Sequence, residues 1–118
     1  MAETKEQFDT VIGQCREIYE KKLKDYGASW RIMRPESITD QILIKAKRIR
    51  SIEIKKESKI DEGITPEFIG IVNYGVIGLI QLQLSFSDNV DINLEKALEL
   101  YDKNIKETKE LMYAKNHD

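Results

Sequence analysis

Apolar residues recur along this chain at helical intervals. Phe8, Val11, Ile12, Cys15, Ile18 and Tyr19 follow the i, i+3, i+4, i+7 spacing of an amphipathic helix, predicted over about residues 3–25. Gly27 in "DYGASW" reads as its stop. A loop, "GASWRIMRPES", is closed by Pro35, and "SITD" predicts a second helix capped by Ser37, with Asp40 in the first turn. Its inner stripe is Ile38, Ile42, Ala46, Ile49 and Ile52, fading into the polar turn "KKESKIDEG". "TPEF" predicts a third helix, with Thr65 as cap and Pro66 at the first helical position. The fourth follows "SDNVDIN", with Leu94, Ala97, Leu98, Tyr101, Ile105, Thr108, Leu111 and Met112 inward.

One stretch is ambiguous. "IQLQLSF" alternates as a half-buried strand does, but the chain offers no second convincing strand, and a lone strand is not stable. The stretch is therefore read as the end of the third helix. Gly70, Gly75 and Gly78 would each weaken that helix by about 1 kcal/mol if exposed, so they predict close approach by a neighbouring element. Four helices with shorter connections predict an all-α fold, an antiparallel four-helix bundle.

Composition adds bounds. A chain of 118 residues is one domain, long enough to bury a core. Hydrophobic residues at 41% and charged residues at 34% describe an ordinary globular balance, and the net charge of −2 points to no partner class. Nothing indicates nucleic acid. The single cysteine, Cys15, fits a reducing compartment, and the polar start "MAETKEQFD" is unlike a signal peptide, so the expected location is cytoplasmic. No charge occurs between residues 68 and 87, which matches the length of a membrane span. Asn73, Gln81, Gln83 and acidic flanks at Glu67 and Asp88 favour a central helix of the bundle instead, with no membrane partner.

The two ends of the chain resemble each other. Residues 8–25, "FDTVIGQCREIYEKKLKD", align without a gap with 101–118, "YDKNIKETKELMYAKNHD". Asp9 meets Asp102, Glu17 meets Glu110, Lys22 meets Lys115, Asp25 meets Asp118, and Arg16 meets Lys109. Two amphipathic helices can match this far by chance. The expectation drawn is that residues 1–118 form a single helical domain with a first repeat at about 5–90, and that 101–118 opens a second, truncated copy. Such a unit would expose apolar surface and self-associate, as a homodimer completing the bundle.

Candidate chemistry is sparse. Glu17 and Glu20 in "EIYE" share a helix face and can offer oxygens to a hard divalent ion; the alternative is a solvated face. Lys45 and Arg48 lie one turn apart and can face phosphates, or be surface residues paired with Glu53 and Glu57. Tyr26, Trp30, Arg31 and Arg34 make an aromatic and guanidinium-rich loop able to stack a base and clamp phosphates. Equally, Tyr26 and Trp30 can simply lid the core. Asp25 stands beside this loop and can cap it or salt-bridge its arginines. Cys15, on the apolar stripe, reads as a buried thiol, and His117 has no assigned role. No phosphate-loop motif, zinc spacing or dinucleotide fingerprint occurs.

"KKLKDYGASWRIMRPESITDQILIKAKRIRSIE" followed by "EFIGIVNYGVIGLIQLQL" resembles the nucleotide modification associated domain 1 family over residues 5–86. The combination of "DYGxxWR", "DQIxIKAKRIR" and "EFIGIVNY" carries the resemblance. It implies that longer members hold the unit twice, with "KNHDYG" opening the second. The family is distantly similar to all-alpha nucleoside triphosphate pyrophosphohydrolases, which bind magnesium with carboxylates on two helices and cleave between the α- and β-phosphates. That likeness implies a Mg2+ site at Glu17, Glu20 and Glu67, with Asn73 contributing an amide oxygen and Asp25, Tyr26, Trp30, Arg31, Arg34, Lys45 and Arg48 near the nucleotide. Gly70 departs from the pattern, standing where a second acid would be most useful. Two readings result: a metal-dependent domain binding or hydrolysing (deoxy)nucleoside triphosphates, and a non-catalytic interaction or oligomerisation module.

Overall fold

The computed structural model describes residues 2–55 and 60–116 of the protein. Four α-helices carry the fold: α1 (Ala2–Tyr26), α2 (Pro35–Lys55), α3 (Ile60–Leu84) and α4 (Leu94–Asn116), with a short 3₁₀ turn at Ser29–Ile32. Among the described residues there is no strand, and "IQLQL" is the last turn and a half of α3. The all-α expectation holds. The turn around residues 56–59, with Glu57, lies outside the described residues, as do His117 and Asp118.

Three helix starts and stops show how local signals fared. Gly27 does end α1: its φ is +68°, a conformation glycine adopts without a Cβ penalty, and its N–H bonds the Leu23 carbonyl at 2.8 Å. Ser37 is not the cap of α2. The helix opens at Pro35, whose fixed φ suits the first helical position, and the Ser37 N–H already bonds the Arg34 carbonyl at 3.0 Å. Thr65 is not the cap of α3, nor is Pro66 its first residue. The helix starts at Ile60 and carries Pro66 inside it. Tertiary packing explains the early start: Gly63 lies against Ile52 of α2, where an added Cβ would meet the isoleucine side chain at 3.3 Å. At α4 the sequence contains a true cap, Asn93, whose side-chain oxygen accepts from the Lys96 N–H at 2.8 Å.

The helix α3 is the hub, packed against α1, α2 and α4. It runs antiparallel to α2, with Ile52 beside Gly63, Lys45 beside Gly70 and Ile38 beside Gly78. α1 and α4 are also antiparallel. Arg16 pairs with Asp102, and Lys109 with Asp9 at 2.5 Å. The antiparallel bundle is incomplete at α3 and α4. Asn73 bonds Tyr101 and Gln83 bonds Asn104, contacts ten residues apart on α3 but three apart on α4, so these helices cross.

The core gathers Tyr19, Leu23, Ala28, Trp30, Ile38, Val76, Ile77, Ile80, Ala97, Leu100 and Tyr101. The inner faces differ by a small rotation from the expected ones. On α1, Leu23 is buried while Val11 and Ile18 are exposed. On α4, Leu100 and Asn104 turn inward, whereas Leu94 and Leu111 face out. Both helices carry apolar residues on more than one face, and periodicity alone left the choice open. Tyr19 and Tyr101 stack with ring centroids 4.3 Å apart, and the Tyr19 hydroxyl donates to the Ala97 carbonyl at 3.0 Å. By length and composition α3 could cross a membrane; here it is the element against which three others pack.

Candidate functional site

A cavity of about 340 Å³ opens where the C-terminal turns of α1, the 3₁₀ turn and the first half of α3 converge. Its wall is aromatic: Tyr19, Tyr26, Trp30 and Tyr74 all line it. Two lysines, Lys22 from α1 and Lys45 from α2, line it as well. Among the described residues no carboxylate does. The cavity is therefore apolar in its walls and cationic at two points.

The indole of Trp30 is buried, and its N–H has no hydrogen-bond partner among the described residues. An unpaired buried donor costs about 1–3 kcal/mol, so a native structure that keeps one calls for an explanation.

Lys45 reaches the cavity by a specific route. Its aliphatic tail lies over the backbone of Gly70, where a Cβ would come within 2.6 Å of the lysine Cδ and Cε. Position 70 is small because the lysine passes there. The ammonium stands 3.8 Å from Glu67 Oε2 and 5.8 Å from the Tyr74 ring centroid. The Gly70 that departs from the acidic pattern thus makes room for a cation.

The 3₁₀ turn is held from a distance. Gln81, fully buried on α3, donates its side-chain amide to the carbonyls of Trp30 (3.2 Å), Arg31 (2.8 Å) and Met33 (2.8 Å). Its oxygen accepts from Arg31 Nη1 at 2.9 Å. Arg31 is itself buried, donating to Asp91 Oδ1 at 2.8 Å and to the Ser85 carbonyl. Ser85 has a φ of 63°, a strained value for a residue with a Cβ, and the Arg31 bond helps to hold it.

The expected site residues divide accordingly. Tyr26, Trp30, Lys45 and Asn73 line the cavity, and Asp25, Arg31, Arg34 and Arg48 do not. Asn73 has its amide spent within the protein: Nδ2 donates to the Cys15 carbonyl at 3.0 Å and Oδ1 accepts from Tyr101 at 2.8 Å. Arg31, expected on phosphate, is a clamp of the turn. Arg34 is exposed, with its guanidinium 5.0 Å from the Phe86 ring. Arg48 pairs with Glu67 at 3.8 Å, and Asp25 is exposed.

The three glutamates are not gathered at one place. Glu20 lies 3.9 Å from both Arg16 and Lys24, Glu67 lies between Lys45 and Arg48, and Glu17 is exposed on α1. Among the described residues no group of three or more His, Cys, Asp or Glu side chains could hold a metal ion. Magnesium needs several hard oxygens around it, and Glu20 and Glu67 have cations beside them instead. The donor set does not fit a resident magnesium ion.

Lys22, Tyr74 and Gln81 are the residues that sequence reasoning missed. Lys22 stands one turn before Tyr26 on α1, a spacing that placed both on one face. Gln81 is an amide inside an uncharged run, and a buried amide requires partners.

Residues 22–82, the segment that supplies most of the cavity, match the family described as nucleotide modification associated domain 1. The chain belongs to this family. Comparison with curated proteins gives no match. Comparison with solved structures gives none either. As a member of the nucleotide modification associated domain 1 family, the chain places its cavity almost wholly within the matched segment, with Ile18 and Tyr19 added from the preceding turn of α1.

Proposed function

We propose that the cavity binds a nucleoside di- or triphosphate, with the base against Trp30 and Tyr26 and the phosphates toward Lys22 and Lys45. The observation that carries this reading is the presence of two lysines in one cavity walled by four aromatic side chains. Aromatic faces accept any base, and each good stack contributes about 1–3 kcal/mol. Lysine ammonium groups are strong phosphate donors in partly buried surroundings. A volume near 340 Å³ falls within the range of small-ligand sites, about 300–1,000 Å³. The family description, with its reference to nucleotide modification, agrees with such a ligand.

The site offers no assembled carboxylates to position an attacking water, so the reading is binding. Because no metal cage is assembled among the described residues, affinity is expected to survive chelation of divalent ions. Trp30 is the single tryptophan, and its fluorescence reports directly on the cavity. The test titrates nucleoside triphosphates, deoxynucleoside triphosphates, diphosphates, free nucleosides and inorganic triphosphate, with magnesium or with EDTA. Fluorescence, heat and phosphate release are followed together. Saturable binding of nucleotides, weakened roughly 10- to 100-fold by Lys45→Gln, supports the reading, on the scale of one charge-assisted hydrogen bond. No response across the panel, or an unchanged affinity in Lys45→Gln, overturns it. A second reading, a non-catalytic interaction module, is favoured by the open apolar face of α3.

A further inference from the structure

The outer face of α3 is unfinished. Asn73, Val76, Ile77, Ile80 and Gln81 turn toward the core, and the opposite side carries Phe68, Val72, Gly75, Leu79 and Leu82. Phe68 is 53% exposed, Leu79 42% and Leu82 70%. These five positions advance by 4, 3, 4 and 3 residues, the spacing of a seam that packs along a second helix. No charged side chain occurs from 68 to 87, so nothing along this stretch repels a like neighbour.

The glycines identify the neighbour. Gly70 lies against Lys45 and Gly78 against Ile38, so each has an element close by. Gly75 has nothing within 4 Å of where a Cβ would stand. A mid-helix glycine costs about 1 kcal/mol relative to alanine, and among the described residues Gly75 gains no packing in return. It sits at the centre of the seam, seven residues after Phe68 and seven before Leu82. The order of sizes is the same from either end: large at 68, intermediate or large at 72 and 79, absent at 75, large at 82. A surface that matches itself on reversal is the requirement of a two-fold interface, in which residue i meets j and j meets i.

We infer that α3 docks antiparallel against α3 of a second copy of this chain, crossing at Gly75. Phe68 then meets Leu82 of the other copy, Val72 comes within one residue of facing Leu79, and the two Gly75 backbones approach closely, as small residues permit at helix crossings. The cavity lies on the other side of α3, so this pairing leaves it open. It does not rest on nucleotide binding and can fail without it.

Phe68→Cys and Leu82→Cys, each prepared alone, test the geometry. The native Cys15 is buried and does not interfere. Disulfides need Cα atoms within about 7 Å. In the antiparallel pair, each introduced cysteine lies about 10 Å along the helix from the axis, hence about 20 Å from its own copy. Neither variant cross-links with itself under mild oxidation, whereas an equal mixture gives the mixed dimer. Native protein at micromolar concentration scatters light as twice the chain mass, and Gly75→Leu lowers the association constant at least about tenfold, the scale of a packing clash at a crossing. Self-linking of both variants would mean parallel helices and overturns the inference. A monomer with no cross-link in any mixture overturns it too. Sedimentation with phosphatidylglycerol vesicles, without the mixed dimer, assigns the face to a lipid surface and equally overturns it.

Discussion

Arg16 on α1 and Asp102 on α4 form a two-point ion pair, with Nε–Oδ1 at 2.7 Å and Nη2–Oδ2 at 3.0 Å. The second bridge between these helices joins Lys109 and Asp9. In the gap-free alignment of the chain ends, Asp9 matches Asp102 and Arg16 matches Lys109. The bridges therefore exchange partners under that alignment, as the two halves of a two-fold pair do. Both are partly exposed, which limits their strength. Asp102→Asn is expected to lower stability in urea denaturation by about 0.5–1 kcal/mol, less in high salt. The charge swap Arg16→Asp with Asp102→Arg should recover most of it.

Gln81→Leu should be among the most damaging single changes. It removes the contacts of two amide N–H groups to three carbonyls and one accepted bond, and leaves the carbonyls of the 3₁₀ turn and the Arg31 guanidinium short of partners. A loss of about 3 kcal/mol or more is expected, measured by urea unfolding followed through Trp30 fluorescence. A change below about 0.5 kcal/mol would mean that Gln81 does not hold the turn.

Gly70→Ala separates stability from binding. The atoms that a Cβ would meet belong to the flexible end of Lys45, so the side chain can move aside at small cost. The helix gains up to about 1 kcal/mol in propensity. The melting temperature should hold or rise slightly, while nucleotide affinity falls because the ammonium has left its station. Equal affinity in the variant would show that Lys45 does not act from this position.

The phenols of Tyr19 and Tyr101 are pushed well above the usual 10, chiefly by burial, with Tyr101 and Asp102 adding to the shift at Tyr19, and Cys15 and Asp102 at Tyr101. The folded state keeps protons that the unfolded chain releases above its ordinary value. Their contribution to stability is therefore fully present below pH 10 and declines as pH rises beyond it. A spectrophotometric titration should show these two tyrosines, of five, ionising late and together with unfolding. Cys15 is likewise pushed up by burial, and should resist thiol reagents at pH 8 until the protein unfolds.

Much of the architecture was legible because the α2 stripe of Ile38, Ile42, Ala46, Ile49 and Ile52 and the Gly27 stop are strong local signals. The start of α3 was not, because Gly63 against Ile52 extends the helix backward through a contact that no local rule contains. For the site, the aromatic loop led to Trp30 and Tyr26. The acidic pattern led away from it, since Glu67 serves two basic residues of α2 and Gly70 accommodates one of them. Arg31 looked like a phosphate ligand because sequence shows its charge and not its burial.

The hold of Gln81 on the 3₁₀ turn spans fifty residues of chain. The turn has no comparable anchor of its own, so the aromatic wall takes shape late, once α3 has docked. Long-range closure of this kind is slow relative to helix formation. A partly folded chain would have its helices and no cavity. A ligand of this cavity would thus select finished molecules, and at a hundredfold excess over its dissociation constant would add about 2.7 kcal/mol to the stability of the whole domain.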